Sequence, residues 1–380
     1  MKESKTRTAT QCVHAGTLPD PNSGGVNSPI TTSSAFGFLD KSDNVYPRYF
    51  NTPNQQAVVE KLCALEGSES GLVVSSGMAA ISTAFVSILH PGDHVVMQDQ
   101  IYGGTYFFAT SQFEKLGVTY TMVKGNKIEN YQQAIQPNTR LLYFETPSNP
   151  LLTITDLAGM AGLARSNGII SMMDNTFASP INQNPLKLGV DVVMHSGTKY
   201  LGGHSDLCFG ALLTSKDLAA KMIATAVNWG GSLDANTCYL IERSLKTLQI
   251  RVRQQNENAQ YLAKQLQAHP SVKTVYYPGL ETHPGHELAK KQMTGFGGML
   301  SFELKESGKA IDFCKRLKLI KPALSLGGVE TIISIPCLTS HIKMTKEERL
   351  AAGVSDDLLR LSVGIEDAED LWEDVERSLD

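Results

Sequence analysis

The sequence predicts an α/β protein whose central sheet is mostly parallel and carries helices on both faces. Short apolar runs without polar interruption recur from about residue 57 onward, which is typical of strands buried on both faces. Stretches with helical spacing separate several of these runs, as a parallel sheet requires. The length of 380 residues exceeds what one hydrophobic core usually serves, so we also expect two domains.

Residues 51–250 are predicted to form the large domain that contains the parallel sheet. Its first helix is "QQAVVEKLCALEG", which ends at Gly67, and its second is "GMAAISTAFVSILHPG", which Pro91 and Gly92 close. The apolar run between them, "GLVVSS", is the first strand. Further strands are predicted in "DHVVMQD", "VTYTMVK", "TRLLYFET", "GIISMMDNT", "VDVVMHSG" and "FGALLTS".

The two ends of the chain are predicted to differ from this domain. Residues 1–50 are rich in Ser, Thr, Pro, Gly and Asn and lack periodicity, so we expect an extended arm that packs on a neighbouring subunit. One long helical stretch over 233–270 leads into a smaller C-terminal α/β domain over residues 251–380. The strands of that domain are predicted in "VKTVYYPG", "GGMLSFELK", "ETIISIP" and "LLRLSVG".

Composition argues against several classes of function. The formal net charge is −4 and no basic stripe is present, so binding to nucleic acid has no electrostatic support. No apolar run reaches the roughly 18 residues of a membrane helix, and the first residues lack the apolar core of a signal peptide. The six cysteines are scattered without a C-x-x-C pair, which predicts reduced thiols, no metal site and a cytoplasmic protein.

Several predicted strands end in residues that can bind a ligand or take part in a reaction. These ends are residues 75–78, 145–150, 174–176 and 195–199. Taken singly, each has an ordinary explanation, such as a helix cap, a turn or a solvated loop. Because ligands of open parallel sheets bind at the carboxyl ends of the strands, however, we expect these residues to share one site.

Together these residues suit a phosphorylated aromatic aldehyde that is bound through an imine. Free N–H groups at the helix start after Ser76, with the hydroxyls of Ser196 and Thr198, can hold the phosphate. The Asp174 carboxylate can keep a ring nitrogen protonated, and the Lys199 amine can form the imine. The sequence therefore predicts pyridoxal phosphate chemistry.

A series of short segments makes this prediction more specific through its order and spacing. The segments are "YPRYFNTPN", "SSGMAA", "IYGGT", "ETPSNP", "DNTFASP", "HSGTKYLGGHSD", "SLGGVET" and "LLRLSVGIED". In them, and over nearly its whole length, the chain resembles the Cys/Met-metabolism family of pyridoxal-phosphate enzymes. The resemblance implies the PLP-dependent transferase fold type I, which is aspartate aminotransferase-like.

The resemblance also implies roles for individual residues. Lys199 would carry the cofactor, Asp174 would bind the pyridine nitrogen, and Tyr102 would stack on the ring and assist proton transfers. The implied cofactor-binding set comprises Lys199, Asp174, Tyr102, Ser76, Gly77, Met78, Thr176, Ser196 and Thr198, with Tyr46 and Arg48 from a neighbouring subunit. The implied substrate-binding set comprises Arg360, Asn149, Ser325 and Glu145.

A site that two subunits complete requires at least a dimer. The family is typically tetrameric, so we expect a homotetramer built from dimers that share active sites.

Arg360 would hold the substrate α-carboxylate through a bidentate fork. The substrate would be a small molecule, an amino acid.

Departures from the patterns of the family bear on the reaction. Gly104 stands where methionine γ-lyases carry a cysteine, and Leu324 stands where cystathionine γ-lyases often carry a glutamate. The segment "VYYPGLETHPGHELAKKQMTGFGG" resembles plant-type γ-synthases, whereas "ISIPCLTSH" resembles β-lyases. We expect a carbon–sulfur lyase of trans-sulfuration that acts on cystathionine or related sulfur amino acids by β- or γ-elimination. The alternatives are γ-replacement on an O-acyl-homoserine and methionine γ-lyase activity.

Other classes of protein fit less well. The S-x-x-K at 196–199 and the S-D-N at 42–44 resemble serine β-lactamase motifs, but their order is wrong and no K-T-G follows. A nicotinamide enzyme would show G-x-G-x-x-G after its first strand, and this chain has no such motif there. His283 and His286 flank Pro-Gly, which prevents the helical spacing of metal ligands. A non-catalytic descendant of the fold remains as an alternative, and the presence of the lysine and aspartate argues against it.

Overall fold

Two sheets, one of seven strands and one of five, organise the chain. The computed structural model describes residues 6–39, 43–342 and 344–379. Part of the predicted arm, including Ser42 of the S-D-N triplet, therefore lies outside the described residues. Within the described ranges, no helix has the length and apolar character needed to cross a bilayer.

The larger sheet contains all seven strands that the sequence predicts for the large domain. They are β1 (Ser70–Val74), β2 (His94–Gln98), β3 (Thr119–Val123), β4 (Thr139–Glu145), β5 (Ile170–Asp174), β6 (Val192–Ser196) and β7 (Gly210–Thr214). Their order is β1-β7-β6-β5-β4-β2-β3. The strands β2 to β6 run parallel, whereas β7 runs antiparallel to both β1 and β6. The predicted fold class, with a mostly parallel sheet, is confirmed.

Burial on both faces explains why these strands are apolar without alternation. On β2, Val96 packs into one hydrophobic core, whereas Val95 and Met97 pack into the core on the opposite face. All three side chains are fully buried. A strand between two cores needs no polar face, so its sequence reads as one apolar run.

Helices cover both faces of this sheet, and further helices accompany the strands of the smaller sheet. The first ten are α1 (Thr8–His14), α2 (Pro53–Glu66), α3 (Gly77–Ile88), α4 (Gly103–Gln112), α5 (Ile128–Ala134), α6 (Leu157–Ser166), α7 (Ser179–Asn182), α8 (Lys216–Trp229), α9 (Ala235–Leu245) and α10 (Leu248–Ala268). The end of α2 is as predicted, because Gly67 follows it in the left-handed conformation at φ 78°.

The single helical stretch that the sequence predicts over 233–270 is two helices. Thr247 separates α9 from α10, with φ −105° and ψ 4°. The break is hidden in the pattern because buried residues keep helical spacing across it, at Ile241, Leu245, Leu248 and Val252.

The described part of the N-terminal arm contains an α-helix that periodicity did not indicate. α1 packs on α2 and α10 of the same chain, and its Cys12 is buried there. The Lys61 amine donates to the carbonyls of Cys12 at 3.1 Å and Val13 at 3.3 Å. The expectation of a wholly extended arm is wrong for this helix. The contact of the arm with a neighbouring subunit stays a prediction.

The smaller sheet lies toward the C-terminus and is mainly antiparallel. Its strands are β8 (Val272–Tyr276), β9 (Met299–Leu304), β10 (Lys321–Pro322), β11 (Ile332–Ser334) and β12 (Leu358–Ser362), in the order β10-β11-β12-β9-β8. Its helices are α11 (His286–Gln292), α12 (Ala310–Arg316), α13 (Lys346–Ala351) and α14 (Ala368–Leu379). Four of these strands match the predicted ones, and β10 has only two residues. The predicted division at residue 250 falls near the start of α10, and the domain boundaries stay a prediction.

Candidate active site

One cavity of about 540 Å³ lies where β4, β5 and β6 end. The last residue of each of these strands lines it, and Arg360 reaches it from β12 of the smaller sheet. All the residues of the predicted site line this cavity except Tyr46 and Arg48. The position agrees with the rule that ligands of parallel sheets bind at the carboxyl ends of the strands.

The start of α3 forms one wall of the cavity and is suited to an anion. The Ser76 hydroxyl accepts a hydrogen bond from Ala79 N–H at 3.0 Å. Within the described part of the chain, no atom accepts from the N–H groups of Gly77 or Met78. A Cβ at Gly77 would lie 2.8 Å from the Ser196 Oγ, so glycine allows α3 to begin directly against β6. Free N–H groups and the helix dipole together favour a phosphate here.

Asp174 ends β5 with its carboxyl group in the cavity wall. Its Oδ1 accepts a hydrogen bond from Thr176 N–H at 2.9 Å. Burial raises the pKa of Asp174, while the hydrogen bonds from Thr176 and the nearby His195 oppose this rise. A carboxylate in this setting gains from a positively charged partner, such as a protonated ring nitrogen.

Lys199 follows β6, and its amine points to a serine. Lys199 Nζ donates to Ser325 Oγ at 2.7 Å. Burial, with a smaller contribution from Arg360, lowers the pKa of Lys199 to about 8. Ser325 has the rare φ of 87°, and its carbonyl accepts from Arg360 Nη2 at 3.4 Å. The amine is therefore held in place, and with this pKa about a tenth of it is uncharged at pH 7, far more than for an ordinary lysine.

Arg360 is a buried cation whose protein partners are all neutral. Its side chain is 6% exposed, and Nη1 donates to Asn149 Oδ1 at 2.8 Å. No carboxylate among the described residues forms an ion pair with it. Burial lowers its pKa to about 10, so the guanidinium stays charged at neutral pH. A buried charge without a counter-ion is costly, so this arginine is poised for an anionic ligand.

Tyr102 precedes α4 and places its ring against the cavity. Its N–H donates to Glu145 Oε1 at 2.9 Å. A side chain at Gly104 would collide with the Tyr102 ring and with Met78, so glycine leaves room for the ring. Burial raises the pKa of Tyr102, and the carboxyls of Asp174 and Glu145 add to this effect. The phenol therefore keeps its proton and can donate it.

Known proteins resemble this chain over nearly its whole length. A model of the family described as Cys/Met metabolism PLP-dependent enzyme matches residues 9–380. The chain belongs to this family. It is 44% identical over 374 residues to cystathionine gamma-lyase of Bacillus subtilis, with 98% of both chains covered. It is also 44% identical to cystathionine beta-lyase MetC of the same organism, covering 97% of this chain and 95% of the relative.

The fold is shared as well. The structure of cystathionine gamma synthase from Xanthomonas oryzae pv. oryzae in complex with cystathionine matches with a TM-score of 0.95 at 40% identity. The match covers 98% of each chain. The protein is therefore an enzyme of the PLP-dependent fold type I, as the sequence predicts.

The cavity fits pyridoxal phosphate, the cofactor of this family. The free N–H groups of Gly77 and Met78 suit its phosphate, and the Asp174 carboxyl suits its ring nitrogen. The Lys199 amine suits its aldehyde. These three kinds of group line one cavity. The assignment of each residue to one part of the cofactor stays a prediction.

Tyr46 and Arg48 do not line the cavity of their own chain. Arg48 Nη1 donates to the Val227 carbonyl at 2.8 Å, and its guanidinium lies 5.8 Å from the Tyr46 ring centroid. The Tyr46 side chain is 43% exposed. Their predicted role toward the cofactor of a neighbouring subunit stays a prediction.

The structure adds cavity residues that the sequence did not indicate. They include Tyr106, Phe177, Cys208, Thr339, Ser340, His341, Ile342 and Met344. The carbonyl of Ser340 packs so closely on Gly103 that any side chain there would collide with it. Burial, aided by Arg360 and Arg349, lowers the pKa of His341 to about 4, so its ring is neutral. The segment "ISIPCLTSH" contains His341 but lies about 140 residues beyond the cofactor lysine, so no local pattern signals the contact.

Gly77→Ala is expected to weaken cofactor binding and to destabilise the fold. The added Cβ would meet the Ser196 side chain at 2.8 Å, and overpacking of this kind costs about 1–3 kcal/mol. Denaturant unfolding and a titration of the cofactor-free protein with pyridoxal phosphate measure the two effects. Gly162→Ala in α6 is the matched control, because nothing lies within 4 Å of its added Cβ. Equal behaviour of the two variants would contradict the assignment of the α3 start as the phosphate site.

Proposed function

We propose that this enzyme cleaves a carbon–sulfur bond of cystathionine or a related sulfur amino acid by β- or γ-elimination. The observation that carries the proposal is Arg360, a buried cation without a carboxylate partner in the described chain, in one cavity with Lys199 and Asp174. This arrangement suits an amino acid whose carboxylate binds the arginine. The relatives named above as cystathionine lyases support the substrate class.

The proposed mechanism gives each side chain one task. Arg360 and Asn149 hold the substrate α-carboxylate, which fixes the orientation of Cα. Bound pyridoxal phosphate supplies an electron-withdrawing ring that stabilises negative charge at Cα. The free Lys199 amine, with its pKa of about 8, takes the proton from Cα, and Ser325 Oγ positions this amine. Tyr102 donates a proton to the departing sulfur.

The keto acid formed from L-cystathionine tests this proposal. β-Elimination releases homocysteine, pyruvate and ammonia, whereas γ-elimination releases cysteine, 2-oxobutyrate and ammonia. A parallel incubation with an O-acyl-homoserine and cysteine tests for γ-replacement, which forms cystathionine without a keto acid. If no sulfur amino acid yields either keto acid, the lyase function is wrong. A methionine control separates methionine γ-lyase activity, since that substrate would release methanethiol.

We also propose a homo-oligomer with shared active sites, a tetramer built from dimers. Arg48 and Tyr46 lie outside the cavity of their own chain, as residues that serve a neighbouring subunit would. An apolar surface beside the cavity includes Met78, Phe107 and Trp229, and the Trp229 side chain is 59% exposed. Exposed apolar surface of this kind favours an interface between subunits.

All six cysteines are free thiols, which supports a location in the reducing cytoplasm.

Mixing two inactive variants is expected to restore activity if sites are shared. Lys199→Ala and Arg48→Ala subunits each lack one half of the site. In a hybrid dimer one site combines both intact halves, so an equal mixture should recover up to about a quarter of wild-type activity. Mass spectrometry of the mixture shows whether subunits exchange. Complete exchange without recovery would contradict the shared site.

A further inference from the structure

Two carboxyl groups stand side by side in the wall of the cavity. Glu145 and Asp174 are direct register partners at the ends of β4 and β5. Neighbouring strands lie roughly 4.8 Å apart, and register partners project to the same face of a sheet. Both side chains line the cavity. Glu145 is buried and Asp174 is only partly exposed, so two carboxylates this close cannot both be ionised without a cost.

The orientation of Glu145 is fixed by hydrogen bonds from three directions. Its Oε1 accepts from Tyr102 N–H at 2.9 Å and from the Tyr143 hydroxyl at 3.0 Å. Its own N–H donates to Gln98 Oε1 at 3.1 Å. The side chain is only 5% exposed. Glu145 therefore anchors Tyr102, the residue that immediately precedes α4.

The surroundings decide which of the two carboxyls holds a proton. Burial and then Asp174 raise the pKa of Glu145 well above its usual value, although the bonds from Tyr102 and Tyr143 oppose this. Burial also raises the pKa of Asp174, but Thr176 and His195 counteract it. Both tyrosines are uncharged, because burial raises their pKa values. The cationic groups of the cavity are Lys199 and Arg360.

We propose that Glu145 is a positioning residue that stays protonated in the working enzyme. As a neutral acid it holds the backbone of Tyr102, and thereby the Tyr102 ring, without placing a second negative charge beside Asp174. The single negative charge at the strand ends then belongs to Asp174, which the cofactor ring needs. This role is distinct from the contact with substrate that the resemblance implied for Glu145.

Glu145→Gln and Glu145→Leu separate this role from the alternatives. Glutamine offers the same acceptor to Tyr102 N–H and leaves the charge unchanged, so it should rescue kcat/KM to within about threefold of wild type. Leucine removes the acceptor and should lower kcat by about tenfold or more with a smaller change in KM, since Tyr102 loses its anchor. The pH dependence of the visible cofactor band should be the same in wild type and Glu145→Gln. A shifted pH dependence in Glu145→Gln, or a loss as large as in Glu145→Leu, would overturn the proposal.

Infrared difference spectra give a readout that does not depend on turnover. At neutral pH the spectrum of the wild-type enzyme with its cofactor, minus that of Glu145→Gln, should contain the carbonyl band of a protonated carboxyl. Glu303→Gln is the matched control, because Glu303 is buried but pairs with Lys273 at 3.1 Å and should contribute no such band. The absence of the band in the wild-type enzyme would refute the inference. Neither outcome depends on which sulfur amino acid is the substrate, so the lyase function is tested separately.

Discussion

Lys199→Ala is expected to lower kcat by about 1,000-fold or more and to remove the visible band of the bound cofactor. The substitution deletes both the covalent attachment to the cofactor and the proposed base at Cα. Borohydride reduction of the wild-type enzyme followed by peptide mapping should place the cofactor label on Lys199. Labelling of a different lysine would show that the assignment is wrong. Lys290→Ala is the control, since this exposed lysine pairs with Glu287 on its own helix and should leave both readouts unchanged.

The contrast with another buried lysine explains why burial alone does not define the cofactor site. Lys61 is fully buried, and burial lowers its pKa too. Its amine is occupied by the carbonyls of Cys12 and Val13, which tie α1 to α2, and it does not line the cavity. Lys199 instead contacts a hydroxyl that can release it, at the carboxyl end of a strand. Location and partners, together with burial, support the prediction that Lys199 carries the cofactor.

The sequence could predict the part of the cavity whose residues follow predictable strands. Glu145, Asp174 and Ser196 each end a parallel strand, and such ends meet at one edge of a sheet. The start of α3 is local to β1 and carries its own capping signal in Ser76. For these residues, periodicity and chain order were sufficient to place side chains that lie far apart along the chain.

The parts that the sequence could not predict depend on tertiary contacts without a local signature. β7 reads like any buried strand, and only its pairing with β1 and β6 shows that it is antiparallel. His341 lies on an irregular segment, and it reaches the cavity because the neighbouring Ser340 packs against Gly103. The break before α10 is hidden because apolar residues keep their spacing across it. In each case packing between distant elements, and not propensity, sets the structure.

Arg360→Ala is expected to lower kcat/KM by about 30-fold or more for every amino-acid substrate. The partners of Arg360 among the described residues are the neutral groups of Asn149 and Ser325, and the proposed anionic ligand is the substrate α-carboxylate. Loss of a buried guanidinium–carboxylate contact costs roughly 2–5 kcal/mol, and each 1.4 kcal/mol is a factor of ten. The visible cofactor band should persist, because Arg360 is assigned to neither the ring nor the phosphate. Steady-state kinetics and an absorption spectrum measure the two effects.

The pH profile of this variant provides a second, independent expectation. The positive charge of Arg360 helps to lower the pKa of Lys199 to about 8, so its removal should raise that pKa. A higher pH is then needed to uncharge the amine. Because this amine is free only once substrate has replaced it on the cofactor, the acidic limb of the kcat profile should move upward. Arg360→Lys should restore this limb because it keeps the charge, but it should recover only part of kcat/KM because an ammonium cannot fork onto a carboxylate. Arg140→Ala, at an exposed arginine beside Asp93, should match wild type in both respects. Wild-type kcat/KM in Arg360→Ala would refute the proposed orientation of the substrate.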